Sequence, residues 1–148
     1  MVTKIMQNVD EVNEMFEKFA HFHDDYFAGI EIKFEDYKAI NDSGESKGIR
    51  SANKTVILFV NVIPYGKDHN RIVRIELKGV KSFDISAPGD KGDWWGIGEI
   101  LPRSENDNIK LDIDFIADEA KLAAICSSMK IEYNEKDFNW SPSRKRFS

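Results

Sequence analysis

Cysteine is nearly absent. Cys126 is the one cysteine in 148 residues, which excludes an intrachain disulfide framework and a cysteine-rich zinc site. A reducing compartment follows as the expectation. Positive charge is also short: the net charge is -5, so the overall electrostatics argue against a nucleic-acid partner. No stretch approaches the ~18 consecutive apolar residues of a membrane span. The opening MVTKIMQNVDEVNEMF has neither an apolar core nor a small-residue cleavage site, unlike a signal peptide. These absences point to a cytoplasmic protein. Familiar catalytic signatures are missing too: there is no G-x-x-x-x-G-K-[ST], no G-x-S-x-G and no C-x-x-C. GDKG is read as a loop rather than a phosphate cradle, and no cofactor is expected.

What is present is periodicity. Val9, Val12, Met15, Phe16 and Phe19 recur at helical spacing, with Glu11, Glu14, Glu17 and Lys18 on the other side. Asn8 is placed to cap this helix, with Glu11 three residues on as a capping box requires. The helix should end near Ala20 or His21. The period then becomes two: Ala28, Ile30, Ile32 and Phe34 alternate with Gly29, Glu31 and Lys33, the pattern of a half-buried strand. TVILFVNVI at residues 55–63 reads as a central strand buried on both faces and closed by Pro64.

Val73, Ile75 and Leu77 alternate with Arg74, Glu76 and Lys78. Gly79 is a candidate bulge before Val80, Phe83 and Ile85. Residues 94–101 form a further strand weakened by Gly96 and Gly98, and SENDN (104–108) is a turn. Ile109, Leu111, Ile113 and Phe115 alternate cleanly. Residues 117–129 fit either an alanine-rich helix capped by Asp118 or a strand with Leu122, Ala124 and Cys126 inward; the strand is favoured, turning back after residue 116. Met129, Ile131 and Tyr133 continue it. The sum is an α+β domain: an N-terminal helix packed on a mostly antiparallel six- to seven-stranded sheet, as a sandwich or partly closed barrel, over residues 1–140. Residues 141–148 form a basic tail expected to be mobile.

The densest chemistry is FAHFHDDYFAGIEIKF, residues 19–34. On a strand, His21, His23 and Asp25 would share a face and could bind a metal, with His69 as a further nitrogen ligand. General acid–base work by His23 with Asp24 or Asp25 is another possibility. Against both stands a structural reading. A helix handing over to a strand needs polar groups for its free backbone amides. Phe22 would plug the core, His23 would orient by hydrogen bonding and Asp24 would cap the turn. On that reading, alanine at His23 or Asp24 costs about 1–3 kcal/mol, as a broken buried polar contact does. Trp94 and Trp95 beside glycines could form a partner platform, with Asp90, Asp93, Asp112 and Asp114 as acidic neighbours. Cys126 is expected in the core.

Phe22-His23-Asp24 before the first long strand, Gly79-Val80 in mid-chain and Cys126 near the end also resemble small bacterial proteins with an F-H-D motif before the first strand. Some of these are associated with immunity to polymorphic toxins, in which a small acidic protein binds and neutralises a toxin. The resemblance runs from residue 8 to 133 and departs at the loop before WWGIG. It implies an antiparallel sheet domain and carries no catalytic residue. The leading expectation is therefore a non-enzymatic, immunity-type module that binds a protein partner, with a basic toxin as the candidate. A metal-binding or hydrolytic domain using the His21/His23 cluster and a small-ligand-binding β-barrel stay open, as does the oligomeric state.

Overall fold

The computed structural model describes residues 1–40, 48–62, 71–86, 96–116 and 120–138, with side chains outside 34–40 and 48–53. The chain opens with a short strand, β1 (Val2–Met6), then α1 (Val9–Glu17). Asn8 caps α1: its Oδ1 accepts the Glu11 N–H at 3.0 Å, and the Glu11 carboxylate accepts the Gln7 N–H at 3.2 Å. Val12, Met15 and Phe16 form the buried stripe. The α-helix stops at Glu17, and a 3-10 turn (Ala20–Phe22) follows.

Eight strands succeed it: β2 (Tyr26–Ile40), β3 (Gly48–Val62), β4 (Arg71–Lys78), β5 (Ser82–Ser86), β6 (Ile97–Glu105), β7 (Asn108–Phe115), β8 (Lys121–Cys126) and β9 (Ser128–Tyr133). They form a five-stranded sheet in the order β1-β9-β4-β3-β2 and a four-stranded sheet in the order β5-β8-β7-β6. Every pairing is antiparallel. The α+β sandwich expected from periodicity is present, with nine strands among the described residues rather than six or seven. β1 carries too short a pattern to stand out, and the run expected as one strand to Tyr133 is two, β8 and β9.

Two chain segments turn the corner between the sheets. β4 passes into β5 through Gly79, and β8 passes into β9 through Ser127. The pair β4–β9 in one sheet thus continues as β5–β8 in the other. Ser127 fastens the corner: its N–H and Oγ both donate to the Lys78 carbonyl, at 2.9 and 3.1 Å. Lys81 N–H donates to Ile125 O at 2.7 Å. Gly79 has φ +61°, and a Cβ there would run into the Ser127 side chain. The glycine read as a bulge is a sheet-switching corner.

Between the sheets lies one core. Leu58, Val60, Ile75, Leu77, Ile100, Leu111, Ile113 and Ile131 are fully buried there, and Phe16, Phe19 and Phe22 close it from the helical side. α1 rests against β6 and β1. Residues 121–126 are strand, with Leu122, Ala124 and Cys126 buried. In the β6–β7 hairpin, Asn106 and Asp107 both have positive φ (+47° and +65°), the two-residue turn that suits a twisted hairpin.

One burial expectation fails. Ile30 and Ile32 lie on the core face, opposite Leu58 and Val56, yet they are 37% and 42% exposed. β2 is the outermost strand of its sheet, and alternation cannot reveal that the cover ends there. The strand read at 94–101 starts at Ile97 and runs on to Glu105. Among the described residues no helix is long and apolar enough to cross a membrane. Pro64, Asp118 and the tail 141–148 lie outside the described residues.

Candidate functional site

The junction from Phe19 to Asp25 is built from unusual backbone. Ala20, His21 and Phe22 have φ of +51°, +54° and +57°, and Asp24 has +67°. Three left-handed residues in succession are rare, because each Cβ crowds the following carbonyl. Turn hydrogen bonds hold them: Phe22 N–H donates to Phe19 O at 3.0 Å, and His23 N–H to Ala20 O at 3.2 Å. Phe22 is fully buried, stacked on Phe19 (centroids 4.9 Å apart) and edge-on to Phe16 (5.2 Å). It plugs the core as the sequence implied.

His23 and Asp24 meet each other at the surface. His23 Nδ1 lies 3.0 Å from Asp24 Oδ2, and the two side chains are 57% and 62% exposed. The main chain bonds inward. Asp24 N–H donates to Ile97 O at 2.9 Å, and Ile97 N–H donates to Asp25 O at 2.7 Å. With the isolated Tyr26–Gly96 bridge, this joins the start of β2 to the start of β6. The turn therefore fastens the two sheets opposite the Gly79 corner, and the side-chain cap expected of Asp24 is replaced by a backbone contact.

The strand geometry needed for a His21-His23-Asp25 row is not formed. The backbone is left-handed at His21, whose ring meets the edge of Phe16 at 6.4 Å, while Asp25 is fully buried. Among the described residues no group of three or more His, Cys, Asp or Glu side chains is placed to hold a metal ion. His69 lies outside them.

The second candidate surface is the outer face of the four-stranded sheet. Trp94, Trp95, Asp90 and Asp93 lie outside the described residues; Asp112 and Asp114 are on β7 and point outward, as expected. The register adds two acids that sequence reading missed. Glu99 on β6 sits directly opposite Asp114, and Asp84 on β5 shares the Ala123 position of β8 with Asp112. Like charges directly opposite each other disfavour pairing. Lys121 lies beside Asp114, and Arg103 Nε is 3.9 Å from Asp112 Oδ2 in a solvent-screened contact. Leu101, Ala123 and Ile125 are half-buried on the same face. Alternation within β5 and β6 marked Asp84 and Glu99 as outward; only the strand order could group them.

The outer face of the five-stranded sheet carries an ion-pair network. Lys130 Nζ is 3.0 Å from Glu76 Oε2 and 3.2 Å from Glu132 Oε1. Arg74 Nη1 lies 3.5 Å from Glu76 and 3.6 Å from Glu132. Burial works against charging Glu76, but Lys130 and Arg74 outweigh it and hold the carboxyl below its ordinary value. Glu76 and Glu132 in turn raise Lys130. In the core, burial pushes the Cys126 thiol up to about 12. It is a packed, protonated thiol at neutral pH, not a nucleophile.

Comparison of the chain with protein-family models, with curated proteins and with solved structures finds no match.

Proposed function

We propose that this protein is a non-enzymatic protein-binding module of the immunity type, cytoplasmic and bacterial, that binds and neutralises a basic partner. The observation that carries the reading is the charged outer face of the four-stranded sheet, where Glu99 is set against Asp114 with Asp112 and Asp84 in the adjoining row, interleaved with Lys121, Lys110 and Arg103. Like charges held opposite each other cost stability. The chain's net charge of -5 favours association with a basic surface. The half-buried Leu101, Ala123 and Ile125 supply apolar contact among them. Trp94 and Trp95, just before β6 in sequence, are candidates for the aromatic anchors that dominate interface energies. The resemblance of Phe22-His23-Asp24 and Gly79-Val80 to immunity-associated proteins points the same way.

The test is affinity capture from lysate of the source organism, read by mass spectrometry. Trp94→Ala/Trp95→Ala and Asp112→Asn/Asp114→Asn serve as paired controls. One stoichiometric basic protein, lost with either double variant and weakened by salt, is the expected outcome. A partner whose binding ignores both variants and salt would sink the assignment of this surface.

A second reading, a metal-binding or hydrolytic domain, rests on the exposed His23–Asp24 pair alone, since no group of three or more ligating side chains is gathered among the described residues. That reading requires stoichiometric bound metal and a large rise in melting temperature on metal addition. A ligand-binding barrel has less support, because Phe16, Phe19, Phe22, Ile75 and Leu111 fill the interior.

A further inference from the structure

Four strands end the two sheets: β1 and β2 in one, β5 and β6 in the other. An edge strand presents unpaired N–H and C=O groups that can template pairing with another chain, and proteins blunt such edges with short strands, proline, bulges or charged side chains. β1 and β5 have five residues each. β6 contains Pro102. β2 has fifteen residues and no proline; its irregularity lies between Phe27 and Gly29, before Ile30, and its charges Glu31 and Lys33 are of opposite sign rather than repelling. Past the Tyr26–Gly96 bridge, no described strand pairs with its outer side. Along this edge Ile30 and Ile32 stand uncovered on the core face, and Glu31 and Lys33 stand exposed on the other, 3.7 Å apart.

We propose that β2 is a self-association edge: two copies of this chain pair antiparallel about a two-fold axis at Ile32, joining two five-stranded sheets into one. The charge pattern favours a second copy as occupant and narrows the register to axes at Ile32, which match Glu31 with Lys33, or at Phe34, which match Lys33 with Glu35. Of the two, only the axis at Ile32 lays that exposed isoleucine against its own copy. Side chains opposite each other must share a face, so the axis passes through a residue. An axis at Glu31 or Lys33 sets like charges against each other. An axis at Ile30 puts Glu31 opposite Gly29 and leaves the charges unmatched. An axis at Ile32 puts Glu31 of each copy opposite Lys33 of the other, twice. It also lays Ile32 against its own copy, with Ile30 as the diagonal neighbour. The edge is thus complementary to itself, and pairing covers the two isoleucines that the fold leaves partly exposed. This surface belongs to the other sheet from the charged face proposed to bind a partner, so the two proposals stand or fall separately.

Sedimentation equilibrium of the full chain over a wide concentration range tests it. The expected mass rises from one chain toward two with concentration. Glu31→Lys and Lys33→Glu each weaken association by about tenfold or more, because each sets like charges together twice. The double exchange Glu31→Lys/Lys33→Glu restores it to within about threefold. Ile32→Lys abolishes it, with circular dichroism confirming the fold. If Ile32→Lys fails to fold, the exchange series decides. A single-chain mass at every concentration overturns the proposal, as does a dimer indifferent to Glu31→Lys, or a double exchange that restores nothing. A single-chain protein that captures a different protein through Ile30 and Ile32 also overturns it.

Discussion

Ala20 has φ +51° and stands half-exposed at the start of the left-handed turn. That conformation costs a residue with a Cβ about 1–2 kcal/mol. Glycine escapes this but loses more backbone entropy on folding. Ala20→Gly is therefore expected to raise unfolding free energy by about 0.5–1 kcal/mol in urea titrations. Gly79 presents the opposite case. Its positive φ and the Ser127 side chain leave no room for a Cβ, so Gly79→Ala should destabilise by about 1–3 kcal/mol in the same assay. Alanine at His23 or Asp24 was expected from sequence to break a buried contact. Both side chains are exposed, so removing their contact should cost no more than about 1 kcal/mol. Cys126 is buried with its thiol raised to about 12. A thiol reagent at neutral pH should label it only after unfolding, and rapid labelling of the native protein would contradict its placement.

At the scale of elements, the network on β4 and β9 makes stability depend on pH. Glu76 has a lowered folded pKa against an ordinary value of 4.5. Its contribution is fully present above that ordinary value and is lost as pH falls through the folded one. Lys130 is raised from 10.5, so its contribution is present below that value and is lost as pH rises through the folded one. Glu76→Gln is expected to lower stability at neutral pH and to flatten the decline below pH 4.5. Denaturant titrations of both proteins across a pH series would show an unchanged acid limb if the network carried no linkage.

For the molecule as a whole, the shared corner matters most. β4–β5 and β8–β9 run through both sheets, and the Phe22 turn ties β2 to β6 at the other end. Neither sheet has a core of its own, since one set of side chains fills the space between them. Phe22→Ala should cost about 3–5 kcal/mol, the range for truncating a fully buried phenylalanine. It should do so in a single transition, with near- and far-ultraviolet circular dichroism melting together. Separate transitions for the two probes would show that the sheets unfold independently.

Local patterns alone determined much of this protein. The α1 cap at Asn8, the inward rows Val73-Ile75-Leu77 and Ile109-Leu111-Ile113, and the Asn106–Asp107 turn each depend on residues close in sequence, whose spacing states which share a face or a turn. What lies opposite a face was decided only by the tertiary structure. Ile30 and Ile32 alternate like core residues and are 37% and 42% exposed, because beyond the Tyr26–Gly96 bridge no described strand flanks β2 on one side. Asp84 and Asp112 are 28 positions apart in sequence and come to lie on either side of Ala123 only because β5 and β7 flank β8. His21 and His23 have the spacing of a metal-binding row, but long-range packing of Phe22 and the bonds to Ile97 hold the backbone in a left-handed turn that no local preference of alanine, histidine or phenylalanine would select.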